Sequence, residues 1–360
     1  MATATLTESA TTTAASATAS CTTAVPGKYG YVPIDACNAN YAFDPSFGAN
    51  LAFAVLFGIS SMIHLMQAII YKKRYCWVVI MGAVWELAGF TIKTLGSRNQ
   101  QQTQYAIWGQ LFFLLAPLWI NAFAYMTVAR MIYFRIPEKK IWGVRAIRMG
   151  TLFIWLDVVC FIVQAGGGIL LSNNDDSNLA DIGKKLYMAG VGVQLAFVLI
   201  FVVLTGFFYR QLLQLEGSGM GRIKYLIWTM LAVLILVIVR IVFRLYEFSP
   251  GANTSNPILT HEDYALCLDA FPMLLALVLL NAMHPGLVLR GPDSDFPRLS
   301  RKEKKALKQQ KKQDKRDLKA AKKAGKSSKH SSTTGGYEMY ENIRDDGSHG
   351  SVNSHRELMV

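Results

Sequence analysis

Charge is scarce in this 360-residue chain: Asp, Glu, Lys and Arg make up 17% of it, against about 25% in soluble globular domains. That shortage disfavours a cytosolic enzyme. Histidine is scarcer still, with six residues. His330, His349 and His355 fall near the C-terminus, and His261 and His284 lie roughly 35 Å apart along a helix rising 1.5 Å per residue. Only His64 is left in the middle of the chain, so a three-histidine zinc hydrolase is excluded. The last apolar stretch, 265–289, contains no lysine, which excludes a retinal Schiff base. No GxxxxGK[ST] loop occurs, so direct ATP-driven pumping has no site. The five cysteines form no CxxC pair, against a zinc ribbon or a disulfide-dense scaffold. Cys21 and Cys37 can bridge if their segment is extracytoplasmic, or stand as two unpaired thiols. No catalytic constellation, metal site or cofactor is expected.

Apolar residues, by contrast, make up 52% of the chain, and mean hydropathy is +0.26. Seven apolar stretches reach the roughly 20 residues a membrane helix needs, near 49–71, 76–96, 106–129, 149–171, 186–208, 223–246 and 265–289. The reading is an all-α polytopic membrane protein in three parts: a Ser/Thr-rich segment 1–48, a seven-helix domain 49–289 and a basic tail 290–360. Residues 1–25 carry one charge, Glu8, and no positive region followed by an apolar core. The first spanning helix is therefore expected to act as its own insertion signal.

Loops 71–75, 134–148 and 209–224 hold eleven Lys and Arg, whereas the alternate loops hold only Arg98, Lys184 and Lys185. The positive-inside rule then predicts an extracytoplasmic N-terminus and a cytoplasmic C-terminus. The sequon Asn253-Thr254-Ser255 falls in the last outer loop, as glycosylation would need. From Arg298 to Lys329 there are 15 Lys or Arg against three acids. Just inside a membrane, such a run attracts anionic lipid headgroups rather than nucleic acid.

Ionisable groups in hydrocarbon cost at least roughly 2.5–3.5 kcal/mol at a helix centre, so each calls for a reason. Glu86 and Asp157 fall near the middle of the second and fourth spans. Arg240 lies in the outer half of the sixth, followed by Arg244 and Glu247 on the same face, and Asp269 lies at similar depth on the seventh. Arg240 and Asp269 either pair to hold the bundle or contact substrate. Neutral polar residues recur at helical spacing: Asn50 and His64 with Gln67 a turn on, Gln110 and Asn121 beside Pro117, and Asp157 and Gln164, while Gln194 stands alone on the fifth span. Interhelical hydrogen bonds account for some of them. A polar-lined cavity accounts for nearly every helix supplying one.

In order along the chain, Tyr31-x-Pro33, Asn50, Phe53, Phe57, His64 and Gln67 are followed by Glu86-x-x-Gly89-Phe90. Gln110, Leu114-Leu115-Ala116-Pro117, Tyr125 and Ala129-Arg130 come next, then Asp157, Gln164, Gly166-Gly167-Gly168, Gly190 and Gln194. Arg240, Arg244, Glu247, Glu262, Asp269, Met273 and His284-Pro285-Gly286 complete the set. This series resembles the fungal RTA-like (aminocholesterol-resistance) family of lipid-translocating exporters over residues 30–290. Phe90, Ala129 and Leu266 depart from its pattern. The resemblance implies a plasma-membrane transporter of amphipathic lipids, with sphingoid long-chain bases or sterol-like amphiphiles as substrates. A cationic headgroup needs an acid, and Glu86 and Asp157 are the expected ligands. His64, Gln67, Gln110, Asn121, Gln164, Gln194, Arg240 and Asp269 are further expected substrate contacts, and Arg240, Arg244, Glu247 and Asp269 an outer ion pair or gate. The alternative is a lipid-sensing receptor that signals through its cytoplasmic loops and tail.

Overall fold

The computed structural model describes residues 22–171, 177–249 and 257–289, with Phe296 and residues 305, 309, 310, 312–314 and 316 of the tail. Seven helices are long and apolar enough to cross a membrane. They are α1 (Phe47–Tyr71), α2 (Trp77–Gly96), α3 (Thr103–Arg135), α4 (Ala146–Leu171), α5 (Ser177–Glu216), α6 (Ile223–Phe248) and α7 (Glu262–Leu287). The chain is a multi-pass membrane protein. Ser46 opens α1 by accepting a hydrogen bond from the Ala49 amide at 3.3 Å.

Helix ends follow stop signals rather than the apolar stretch. The expected 186–208 lengthens to Ser177–Glu216 because polar side chains continue a helix until Gly217, whose φ of 55° suits glycine. The helix expected over 106–129 runs to Arg135, where Pro137 forces Ile136 into extended backbone. The last helix was expected to reach 289. Its α-helical part instead stops at Ala282, because Pro285 holds His284 extended and a short 3-10 turn, Pro285–Leu287, follows. Within α7, Leu266–Ala270 winds as a π-helix just before Pro272. A hairpin between α3 and α4 pairs β1 (Lys140–Ile141) with β2 (Val144–Arg145), turning through Trp142 and Gly143, both at positive φ.

Consecutive helices pack side by side, and α7 closes the ring against both α6 and α1. The centre belongs to α3, which contacts α2, α4, α5 and α6. Its Phe113, Ile120, Phe123 and Tyr125 are fully or almost fully buried. The outer faces carry Leu51, Val55, Ile59 and Met62 of α1 and Trp155 of α4, exposed as lipid-facing side chains are. At the crossing of α4 and α5, a Cβ on Gly167 would lie 2.5 Å from the Tyr187 amide nitrogen. One on Gly183 would lie 2.5 Å from that of Leu171, so only glycine allows this approach.

Residues 27–45 fold over the α2–α3 connection. Gln100 donates from its backbone to the Tyr29 carbonyl at 2.9 Å and from its side chain to Asp44 at 2.8 Å, and Asn40 donates to the Gln100 carbonyl at 3.0 Å. Burial pushes the Tyr41 hydroxyl pKa up to about 12. Residues 297–360 form a separate unit, and its described residues are helical.

Candidate functional site

A cavity of about 840 Å³ lies among α3, α4, α5 and α6 and reaches Asn40 and Ala42 at the end where α1 begins. Its apolar wall includes Leu111, Leu114, Phe161, Val191 and Ile241, and beside Asn40 and Tyr187 its polar groups are Gln110, Asn121, Gln164, Gln194, Arg240 and Arg244. Helical spacing places Gln110 and Asn121 on one face of α3. Pro117 lies between them on the same wall.

The polar groups differ in how much bonding capacity they keep. Asn121 donates from Nδ2 to Asp157 Oδ2 at 3.0 Å, and the Tyr125 hydroxyl donates to the same oxygen at 3.1 Å. Asn121 Oδ1 and Asp157 Oδ1 stay buried without a hydrogen-bond partner among the described residues. Asp157 thus fixes the amide of Asn121, a lining residue, and leaves its carbonyl as a buried acceptor without a partner. Gln164 donates to Gln194 at 2.8 Å, joining α4 to α5 across the wall.

The guanidiniums belong to an ion network. Arg240 and Arg244 both pair with Asp269, one on each carboxylate oxygen, and Arg244 Nη1 donates to Glu247 at 2.7 Å. All four side chains are buried. Arg240 Nη2 also donates to the Phe113 carbonyl at 3.2 Å. That carbonyl is free because the residue four positions on, Pro117, has no N–H. The Phe113 ring lies 5.6 Å from Arg240, 5.3 Å from Arg244 and 3.8 Å from Lys93 Nζ, a cation–π cage at the rear of the cavity wall.

The two acids expected to hold a headgroup stand behind the wall. Glu86 is fully buried on α2 and is absent from the lining, while Asp157 connects to the cavity through Asn121. His64 and Gln67 are elsewhere, at the α1–α7 seam. There Gln67 donates to the Asn281 carbonyl at 2.8 Å, Asn281 donates to Ser60 at 2.9 Å, and Tyr71 stacks on His284 at 5.0 Å. Asn50 bonds Glu262 at 2.6 Å, tying the starts of α1 and α7. Asn253 and Cys21 lie outside the described residues, and Cys37 is disulfide-bonded.

Tyr187, Asn40 and Lys93 escaped the sequence reading. Tyr187 belongs to no polar periodicity along α5, and Asn40 comes from the segment before α1. Lys93, near a helix end, has the look of a snorkelling residue.

The family profile described as RTA1 like protein matches residues 79–292. A probable lipid transporter, atnI, of Emericella nidulans is 42% identical over 309 residues, covering 82% of this chain and 81% of its own. The sphingoid long-chain base transporter RSB1 of Saccharomyces cerevisiae is 24% identical over 307 residues, covering 73% and 78%. Protein RTM1 of Saccharomyces cerevisiae is 25% identical over 282 residues, covering 66% and 89%. No solved structure matches the chain.

Proposed function

The chain belongs to the RTA1-like family, and on that footing we propose that its cavity carries an amphipathic lipid across or out of the membrane. It is a lipid transporter, and the names of its relatives favour this over a receptor. The observation that carries the reading is the cavity itself. Its volume of about 840 Å³ lies within the roughly 300–1,000 Å³ of small-molecule sites. Its lining is an apolar shaft with a few amides, which matches a hydrocarbon chain or ring system ending in a small polar head.

The substrate class is a sphingoid long-chain base or a sterol-like amphiphile. The ammonium or hydroxyl of such a head donates to Asn121 Oδ1, the acceptor left open when Asp157 takes the amide N–H. The Asp157 carboxylate behind it supports a positive head through one hydrogen bond. Gln110 on the same helix face offers a second contact. The network of Arg240, Arg244, Asp269 and Glu247 fixes α6 to α7 as the rigid wall of the site. None of these groups is a catalytic nucleophile, and the proposed activity involves no chemistry on the lipid.

The same reading places the N-terminus outside, following the positive loops, so the cavity occupies the outer half of the bundle. The plasma membrane is the proposed location, Asn253 a glycosylation site, and the basic run 298–329 a contact for anionic headgroups.

Purified protein in liposomes, with a fluorescent long-chain base in one leaflet, tests the proposal. Protein-dependent loss of the probe from that leaflet, slowed by Asn121→Leu, is the expected result. Binding without movement, or neither, would overturn transport of this substrate class.

A further inference from the structure

Glu86 is an ionisable side chain of the spans that the transport reading leaves idle. It is fully buried, and neither of its carboxyl oxygens has a hydrogen-bond partner among the described residues. A carboxylate in that position is costly unless paired, and its surroundings decide how it is neutralised. It interacts electrostatically with Arg240 and Arg244 of α6, Asp269 of α7 and Lys93 of its own helix. Lys93 in turn interacts with Glu262, and Glu247 with Arg244, Asp269 and Lys93. Tyr187 of α5 faces the same network.

The helices packed directly on α2 bring no further charge into this network: on α3, Arg130 lies over the Tyr75 ring and Arg135 pairs with Glu216. The ionisable residues of α1 are His64, which interacts with His284, and Tyr71, which stacks on it. From α3 the network receives the Phe113 ring, while Tyr125 bonds Asp157.

The buried web therefore joins three bases, Lys93, Arg240 and Arg244, to four acids, Glu86, Glu247, Glu262 and Asp269; Asp263, which also interacts with Glu262, is exposed and keeps its charge in solvent. One proton makes it neutral. Three of the acids have donors: Asp269 two guanidiniums, Glu247 that of Arg244, and Glu262 the Ser46 amide at 2.7 Å and Asn50 at 2.6 Å. Glu86 alone has no donor, so the proton falls to it.

We propose that Glu86 is a proton-binding site, and that the protein exchanges this proton for a cationic amphiphile. The second half of this inference rests on the transport reading. Arg240 and Arg244 line the cavity and interact with Glu86 from its other side, so a cationic head entering the cavity adds a positive charge to the same network. The network then regains neutrality when the O–H bond of Glu86 breaks and its proton leaves to water. When the amphiphile departs, Glu86 takes a proton back. One positive charge replaces another, no covalent bond in the lipid changes, and linkage makes the coupling reciprocal.

The test uses full-length protein in liposomes and a fluorescent long-chain quaternary ammonium, whose fixed charge prevents trapping by pH alone. Wild type is expected to accumulate the probe against an imposed pH gradient, toward a tenfold ratio per pH unit for one-to-one exchange. Glu86→Gln is expected to move the probe only downhill. Wild-type movement that ignores the gradient, or accumulation that survives in Glu86→Gln, overturns the exchange while leaving transport intact. If no amphiphile moves, the transport reading fails and exchange fails with it. The proton site is then tested by infrared spectroscopy, where a protonated-carboxyl stretch must be present in wild type. That band must vanish in Glu86→Gln and shift in Glu86→Asp, and its absence from wild type overturns the site.

Discussion

Two prolines, one midway along α3 and one just past the α-helical part of α7, set the same problem and receive different solutions. Pro117 deprives the Phe113 carbonyl of its helical donor, and Pro285 does the same to Asn281. Arg240 fills the first gap at 3.2 Å and Gln67 fills the second at 2.8 Å, each reaching from a neighbouring helix. The guanidinium brings a charge that needs Asp269, which binds Arg244, which needs Glu247. The amide brings no such requirement, and its surroundings are Ser60, Asn281 and an imidazole. A charged repair propagates into a network and ends beside a cavity, whereas a neutral one stays local. Helix α7 is thus held by charge near its start and by neutral hydrogen bonds near its end.

The sharpest way to break this contrast is Asp269→Asn. Both guanidiniums lose the acid they share, and uncompensated buried charge typically costs about 3–5 kcal/mol. Thermal unfolding of the detergent-solubilised protein is expected to show a loss of that order. A loss below about 1 kcal/mol would mean that α6 and α7 are not joined by charge.

A second substitution asks whether backbone contact alone holds α4 to α5. Gly167→Ala puts a methyl against the Tyr187 backbone, and overpacking of this kind costs typically 1–3 kcal/mol. Gly168→Ala meets nothing within 4 Å and is expected to be neutral in the same unfolding assay. Equal effects from the two would contradict the crossing described for α4 and α5.

That pair also marks how far the sequence could be read. The run Gly166-Gly167-Gly168 signals close packing, but nothing in three identical letters tells which one faces α5. The seven spans were legible because bilayer thickness imposes a length on apolar runs. Their ends were missed at Gly217, Pro137 and Pro285, since an apolar run marks a span by hydropathy and the polar last turns of α5 continue a helix without raising it. For the site, Gln110, Asn121 and Gln164, found by spacing, and Gln194, a lone polar residue on its helix, do line the cavity. Gln67 and His64 have the same spacing signature and lie at a helix seam. Periodicity identifies the polar face of a helix but not what that face meets, and the partner here depends on which helices close the ring. Glu86 was visible as a buried acid, but its lack of a partner depends on three other helices.

Gln110 separates cavity from seam directly. It lines the cavity and makes no hydrogen bond to the described protein, so Gln110→Leu should leave unfolding unchanged. Loss of one contact to a lipid head is expected to slow amphiphile movement about tenfold, equivalent to about 1.4 kcal/mol. Slower movement with an unchanged melting temperature supports a substrate contact. A lower melting temperature with unchanged movement would move Gln110 to the structural class.

Gln67→Leu is the smallest and most discriminating change. It removes the donor to the Asn281 carbonyl, which Pro285 leaves without any helical donor, and a hydrogen bond between membrane helices averages roughly 0.6 kcal/mol. The same substitution also removes Gln67 Oε1, which is buried without a partner, so part of the loss is offset by relieving an unsatisfied acceptor. Stability should therefore fall by about 0.6 kcal/mol or less, and amphiphile movement should match wild type. Slower movement at unchanged stability would place the α1–α7 seam in the transport path, and the contrast between the charged and neutral ends of α7 would lose its functional meaning.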